Sequence, residues 1–270
     1  MTEYGPGESP VERPARIVAV ANQKGGVGKT TTAINVATAL ALAGRQVLLV
    51  DIDPQANLTS GLGLKGQRTE AGTIYEALLT DAAPETFVLS TRVESLRLIP
   101  ADRDLTGAEI EMVPLPERER RLQRVLEPLR AAYDDIFIDC PPSLGLLTLN
   151  ALVACDAVLI PLHCEYFALE GLADLVATLH RVRDALNPAL EIEGVLLTMY
   201  DDRTNLGQLV ARDVREFFKE KVFETIVPRN VRLGEAPSHG IPAVLYDTKS
   251  RGAAAYVALA QEILARAMAS

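Results

Sequence analysis

The sequence predicts an α/β fold in which one mostly parallel, doubly wound sheet is flanked by helices on both faces. Apolar runs of four to seven residues alternate with longer segments of helical period, the pattern of parallel strands joined by crossover helices. A glycine-rich stretch lies directly between the first apolar run and the first helical segment. With 270 residues, 48% of them apolar, the chain is long enough for one large domain with a buried core.

The individual elements follow from these runs and from the helical segments between them. Gly44 stands where the first helix needs a C-cap residue with positive φ, so that helix is expected to end just before it. We predict strands at 16–22, 46–52, 96–99, 135–139, 157–161, 193–198 and 222–226. We predict helices at 30–43, 117–132, 169–186, 206–219 and 252–268, with right-handed crossovers between parallel strands.

The two ends of the chain differ in character. Residues 1–14 are rich in Gly, Pro and Glu and show no apolar periodicity, which predicts a disordered N-terminal tail. Residues 15–270 are expected to form the single domain. No apolar run approaches the roughly 18 residues needed to span a bilayer, and no secretory segment follows Met1. We therefore expect a cytoplasmic protein.

The net charge and the cysteines limit which ligands and sites the sequence predicts. The net charge of −9 excludes a uniformly positive surface, so any contact with nucleic acid must come from a local patch. Residues 228–251 form such an exception, with four basic and two acidic side chains. The three cysteines, Cys140, Cys155 and Cys164, lie in apolar segments without a CxxC pair, which favours buried thiols over a metal or redox site.

The glycine-rich stretch is a phosphate-binding loop. A strand that runs through such a loop into a helix directs backbone N–H groups and a helix N-terminus at one point, which suits an anion. Lys29 would reach the β and γ phosphates of a nucleotide, and the Thr30 hydroxyl would ligate Mg²⁺. Gln23 replaces the first glycine of the strict motif, and Lys24 adds a second lysine. The cradle comprises Lys24, Gly25, Gly26, Val27, Gly28, Lys29, Thr30 and Thr31.

Carboxylates at two further strand ends complete the site. Asp139 ends an apolar strand, as expected of a carboxylate that holds Mg²⁺ through water beside the loop. Asp51 and Asp53 end the second strand, on the same side, and Pro54 turns the chain after them. One of the two can face the metal while the other reaches the attacking water. For Asp53, capping of a helix is the alternative interpretation.

Taken together, these residues resemble the deviant Walker A ATPases of the ParA/MinD class, and within it the chromosomal ParA (Soj-like) partition proteins. The resemblance extends from about Arg16 to the C-terminus and involves several blocks in order, so it is more specific than a phosphate loop alone. The blocks are KGGVGKTT from Lys24, VDIDPQAN from Val50, IDCPPSLG from Ile138, CEYFALEGL from Cys164, RTNLG from Arg203 and VPRNVRLGEAPSHG from Val227.

The resemblance implies a role for each matched residue. Lys24 would be the signature lysine that crosses a sandwich homodimer to the partner's ATP, and Lys29 the lysine of the loop itself. Loss of Asp53 would uncouple hydrolysis from nucleotide binding. Pro228 and Asn230 would lie near the adenine. The cofactors implied are ATP and Mg²⁺.

The family also binds double-stranded DNA without sequence preference, as the ATP dimer, through basic residues on one face. A ParB-type centromere-binding protein would stimulate hydrolysis, and the protein would associate with the nucleoid. The acidic pair Asp201 and Asp202 weakens the case for the neighbouring arginine. The DNA-binding candidates in this chain are Arg203, Arg229, Arg232, Lys249 and Arg251.

The sequence differs from the family pattern at some positions, and alternative functions stay open. His163 stands where the family usually has Gln, and we interpret it as a buried, hydrogen-bonded histidine without chemistry. A MinD-like membrane switch would need a basic amphipathic C-terminal helix, whereas 253–270 looks like a core helix. An iron–sulfur ATPase and a nucleotide-binding scaffold without hydrolysis are less favoured. The cargo, chromosome or plasmid, is not specified by the sequence.

Overall fold

The computed structural model describes residues 14–165 and 168–269, which form a seven-stranded sheet in the order β3-β4-β2-β5-β1-β6-β7. All neighbouring strands are parallel except β3 and β4, so the predicted doubly wound sheet is confirmed. The strands are β1 Arg16–Val20, β2 Val47–Asp51, β3 Leu89–Ser90, β4 Leu96–Ile99, β5 Asp135–Asp139, β6 Ala157–His163 and β7 Glu191–Thr198.

Helices cover both faces of this sheet because the strand side chains alternate between two apolar clusters. In β1, Ile17 and Ala19 belong to one cluster, whereas Val18 and Val20 belong to the other. Helices α1 and α11 cover the second face, and α3 to α8 cover the first. The helices are α1 Lys29–Leu42, α2 Asn57–Gly61, α3 Ile74–Leu79, α4 Leu105–Glu111, α5 Arg121–Leu126, α6 Leu146–Ala154, α7 Ala168–Ala185, α8 Asn205–Phe218, α9 Val231–Glu235, α10 Ala243–Tyr246 and α11 Arg251–Ala269.

Two predicted elements are wrong. The helix at 117–132 is broken into α5 and two flanking 3₁₀ turns, since Pro128 lacks the N–H that a continuous helix requires. The strand at 222–226 is reduced to one bridge between Val222 and Val195. There the N–H groups of residues 224 and 225 donate to the Glu262 carboxylate, at 2.9 and 3.0 Å, instead of to a neighbouring strand.

Of the predictions for the two ends of the chain, the structure tests the one for the C-terminal helix. Residues 1–13 of the predicted tail lie outside the described residues. The last helix, α11, buries Ala253, Tyr256, Leu259 and Ile263 against the sheet, as expected of a core helix. Within the described part of the chain, no helix combines the length and the apolar character that crossing a bilayer requires.

Candidate active site

The phosphate loop connects β1 to α1 at the carboxyl edge of the sheet. Gly26 has φ of 73° and Gly28, the N-cap of α1, has φ of 91°, a region that side-chain-bearing residues rarely occupy. The buried Val27 fixes the loop to β7, because its carbonyl accepts a hydrogen bond of 2.8 Å from the Thr198 hydroxyl. The Lys29 ammonium donates to the Lys24 carbonyl at 3.2 Å. The loop is thus already shaped as an anion cradle.

A cavity of about 800 Å³ opens above this loop. Its lining includes the loop residues Lys29, Thr30 and Thr31, together with Asp53 and Asn230. Apolar side chains also line it. A lining that combines polar and apolar groups suits a nucleotide, because the phosphates need polar partners and the base packs on apolar ones. Of the two residues predicted near the adenine, Asn230 lines this cavity and Pro228 lines an adjacent groove.

Asp139 is a buried carboxylate at the end of β5, directly opposite Asp51 on β2 and Val20 on β1. Neither of its oxygens has a hydrogen-bond partner among the described residues. Burial first, and then the charge of Asp51, raise the pKa of Asp139 well above its ordinary value. The Thr30 hydroxyl and the Lys29 ammonium oppose this shift, but neither closes a hydrogen bond to the carboxylate.

An unpaired buried carboxylate of this kind fits a metal ligand, because an unpaired buried polar group is costly and a cation would satisfy it. No cluster of three or more His, Cys, Asp or Glu side chains capable of holding a metal occurs in the described ranges. Mg²⁺ uses one or two protein ligands and completes its shell with phosphate oxygens and water.

Asp51 serves a different purpose in this structure. Its carboxylate accepts hydrogen bonds from the Thr59 N–H (2.9 Å), the Thr59 hydroxyl (2.7 Å) and the Asp53 N–H (3.2 Å). The Thr59 hydroxyl in turn accepts from the Ala101 N–H, just beyond β4. Burial raises the pKa of Asp51 to about 6. Asp51 therefore ties α2 to the sheet. Its Oδ1 accepts only one of these bonds, so its contact with the metal stays a prediction.

Asp53 faces the cavity with only 7% of its surface exposed. One of its oxygens accepts a hydrogen bond from the Gln55 N–H at 2.9 Å, which closes the turn that leads to α2. The N-cap of α2 is Ala56, so Asp53 does not cap that helix, and its second oxygen makes no hydrogen bond in the described structure. Burial lowers the pKa of Lys29 in the phosphate loop, although Asp139, Cys140 and Asp53 offset part of the shift.

Lys24 forms an ion pair with Glu165 of the same chain. The second Glu165 oxygen lies 2.8 Å from His163 Nδ1, and the hydrogen bond from Lys24 is the main reason why the pKa of Glu165 is lowered. His163 is half-buried, rather than buried as the sequence suggested, and its Nδ1 lies beside the Glu165 carboxylate. In this structure the signature lysine is therefore held by its own subunit.

The candidate DNA contacts divide into two groups. Arg203, Arg229 and Arg251 line a second groove of about 380 Å³, which also contains Asp201 and Asp202. Arg232 instead contacts two carboxylates, Glu235 at 2.7 Å and Asp247 at 3.2 Å, and Lys249 does not line either cavity. The structure thus brings three of the five candidates together.

The three cysteines are free thiols that are buried, as predicted. Burial raises the pKa of Cys155 to about 12 and that of Cys164 to about 11. Burial likewise raises the pKa of Cys140 well above its ordinary value, with a further contribution from Asp139. Such thiols are poor nucleophiles and metal ligands at neutral pH.

Comparison with known proteins identifies relatives of this chain. A family model described as "AAA domain" matches residues 15–192. Chromosome partitioning protein ParA of Myxococcus xanthus is 57% identical over 263 residues, which cover 97% of this chain and 93% of that protein. Sporulation initiation inhibitor protein Soj of Bacillus subtilis is 56% identical over 250 residues, which cover 93% of this chain and 98% of that protein.

A solved structure is also similar to this chain. Cobyrinic acid a,c-diamide synthase of Mycobacterium smegmatis, with bound ATP analogue and magnesium, is 40% identical with a TM-score of 0.82. The match covers 93% of this chain and 94% of that chain. The bound groups agree with the predicted cofactors, ATP and Mg²⁺.

A doubly wound sheet with a phosphate loop after β1 and a buried carboxylate at the end of β5 defines a P-loop ATPase. The relatives narrow the class. This chain belongs to the ParA/Soj family of chromosome-partitioning ATPases, as its sequence blocks indicated.

Proposed function

We propose that this ATPase is a nucleotide switch for DNA partition. ATP binding with Mg²⁺ drives two subunits into a sandwich homodimer, the dimer binds double-stranded DNA without sequence preference, and hydrolysis releases it. A ParB-type centromere-binding protein stimulates the hydrolysis. The switch would act in the cytoplasm, on the nucleoid, with a chromosome or a plasmid as cargo.

Some residues of the cavity would bind ATP and Mg²⁺, and others would act in hydrolysis. The loop N–H groups and Lys29 would bind the β and γ phosphates, and Lys24 would neutralise charge on the partner's nucleotide. Thr30 and Asp139 would hold Mg²⁺, which supplies charge neutralisation at the transferred phosphate when bound. Asp53 would orient the attacking water, since its free oxygen faces the cavity.

The single observation that carries the proposal is the combination of a preformed anion cradle with an unpaired buried carboxylate beside it. Gly28 holds the loop in its left-handed conformation, and the Asp139 carboxylate has no hydrogen-bond partner in the described part of the chain. Burial of the Asp139 carboxylate without a partner is costly, and a bound metal and nucleotide would offset that cost. The position of Lys24, on Glu165 of its own subunit, suits a subunit that has not yet dimerised.

A switch of the same class that acts on membrane or protein partners is the alternative. The membrane version needs an amphipathic helix that can leave the protein, whereas α11 buries Tyr256 and Leu259 in the apolar cluster around α1. The three arginines of the second groove favour DNA instead.

The test is binding to a nonspecific DNA duplex at low and raised salt, with ADP or with ATP and Mg²⁺. The wild type is compared with Lys24→Ala and with a matched control, Lys221→Ala, whose exposed side chain lies near the start of β7, away from the loop. Binding that requires ATP, weakens with salt and is lost only in Lys24→Ala is the expected result. Absence of DNA binding in every nucleotide state would overturn the proposal and favour protein or membrane partners.

A further inference from the structure

The second groove contains an internal ion pair that occupies one of the arginines proposed to bind DNA. Arg203 Nε lies 2.8 Å from one Asp201 oxygen, and its Nη2 lies 2.6 Å from the other. This bidentate arrangement is the geometry with which a guanidinium also binds a phosphate. The Arg203 side chain is otherwise 84% exposed. Among residues 14–165 and 168–269, the one group on the Nε–Nη2 edge of Arg203 is this carboxylate from the same loop.

Backbone contacts hold this ion pair beside the other arginines of the groove. The Tyr200 N–H donates to the Val227 carbonyl at 3.2 Å, and Tyr200 and Pro228 form a parallel bridge. The segments that carry Arg203 and Arg229 therefore run side by side. Arg203 chiefly, and Arg229 to a smaller extent, lower the pKa of Asp201 to about 2, so this carboxylate is charged throughout the physiological range.

We propose that Asp201 competes with DNA phosphate for Arg203 and so limits the affinity of the ATP-bound dimer for DNA. This inference rests on the proposed function. For Arg203 to bind a phosphate through the Nε–Nη2 edge of its guanidinium, it must first leave Asp201, and the unpaired carboxylate then repels the same phosphate. A limited affinity suits a switch that has to leave DNA after each cycle, because every added phosphate contact would strengthen binding at low salt.

The neighbouring residue provides a matched control. Asp202 carries the same charge, but in the described structure its carboxylate accepts no hydrogen bond, and only its backbone carbonyl is engaged, by Gln208. Asp201→Asn keeps an oxygen that can accept the hydrogen bond from the Arg203 N–H, at 3.1 Å, so the turn is preserved. The two single substitutions thus change net charge equally but differ in whether they release Arg203.

The experiment measures DNA affinity of the full chain with ATP and Mg²⁺ between 50 and 200 mM salt. Releasing one arginine per subunit adds two phosphate contacts per dimer, which steepens the log–log salt dependence by about 1.8. We expect Asp201→Asn to bind about tenfold more tightly at 50 mM salt, with the gain vanishing near 200 mM. Asp202→Asn should gain much less, and Asp201→Asn should gain nothing in an Arg203→Ala background. Basal ATPase activity of Asp201→Asn should match the wild type.

Three results would overturn the inference while leaving the proposed function intact. Weaker binding by Asp201→Asn would show that Asp201 positions Arg203 for phosphate instead of competing with it. Equal gains in both Asn variants, or a gain that persists without Arg203, would show a general effect of charge. If the wild type binds no DNA with ATP, the proposed function itself fails, and this inference fails with it.

Discussion

Removal of the Asp139 carboxylate should stabilise the protein in the absence of nucleotide and metal. Asp139→Ala deletes two buried oxygens without a hydrogen-bond partner among the described residues, together with a charge that faces Asp51 on the adjacent strand. A buried unsatisfied polar group costs about 1–3 kcal/mol, and more when charged, while the void left by the substitution takes back part of the gain. We expect the free energy of unfolding to rise by about 1–2 kcal/mol, which corresponds to roughly 2–8 °C in Tm.

Asp51→Ala is the matched control, since it removes an equally buried aspartate from the adjacent strand. The Asp51 carboxylate accepts three hydrogen bonds. Its loss leaves the donors of Thr59 and Asp53 unpaired and should lower the free energy of unfolding. The assay is thermal unfolding in EDTA without nucleotide, repeated with ATP and Mg²⁺. Added ATP and Mg²⁺ should raise the Tm of the wild type much more than that of Asp139→Ala. If Asp139→Ala is less stable than the wild type in EDTA, this prediction is wrong, because the Asp139 carboxylate must then have stabilising contacts without a metal.

Three further predictions concern other parts of the site. Asp53→Ala should keep ATP binding but lose about 100-fold or more in turnover, measured by phosphate release; unchanged turnover would remove Asp53 from the mechanism. Glu165→Gln should release Lys24 and strengthen ATP-dependent dimerisation about 2- to 30-fold. The reason is that the partly exposed Lys24–Glu165 ion pair of each subunit no longer competes with the partner's nucleotide for Lys24. Weaker dimerisation of that variant, seen by sedimentation, would instead make Glu165 a positioning residue. Cys164, with a pKa of about 11, should have roughly one thiolate in a thousand at pH 8, so a disulfide reagent should label native protein slowly; rapid labelling would contradict its burial.

Much of the fold and the centre of the site could be predicted from the sequence because both depend on local patterns. The phosphate loop needs glycines at fixed spacing, and Gly28 indeed adopts positive φ. The buried strands appear as apolar runs, and Asp139 follows one of them directly. The break in the helix at 117–132 was also visible in principle, since Pro128 lies inside it.

The remainder depends on contacts between residues that are distant in the chain. Nothing near residues 222–226 indicates that Glu262 takes the N–H groups of a would-be strand. The partner of Lys24 is Glu165, 141 residues away, and the buried Asp51 proves to be held by Thr59. The short helices α2 to α4 were missed because tertiary packing, not propensity, stabilises segments of five to seven residues.

The proposed switch depends on conversion of a monomer into a homodimer by ATP, through Lys24. This conversion can be measured by sedimentation of the full chain with ADP, and with ATP and Mg²⁺, with Asp53→Ala included to slow hydrolysis. We expect the 29.2 kDa monomer with ADP, a species of twice that mass with ATP, and a monomer in both conditions for Lys24→Ala. A mass that does not change with nucleotide, in the wild type and in Asp53→Ala alike, would contradict this expectation.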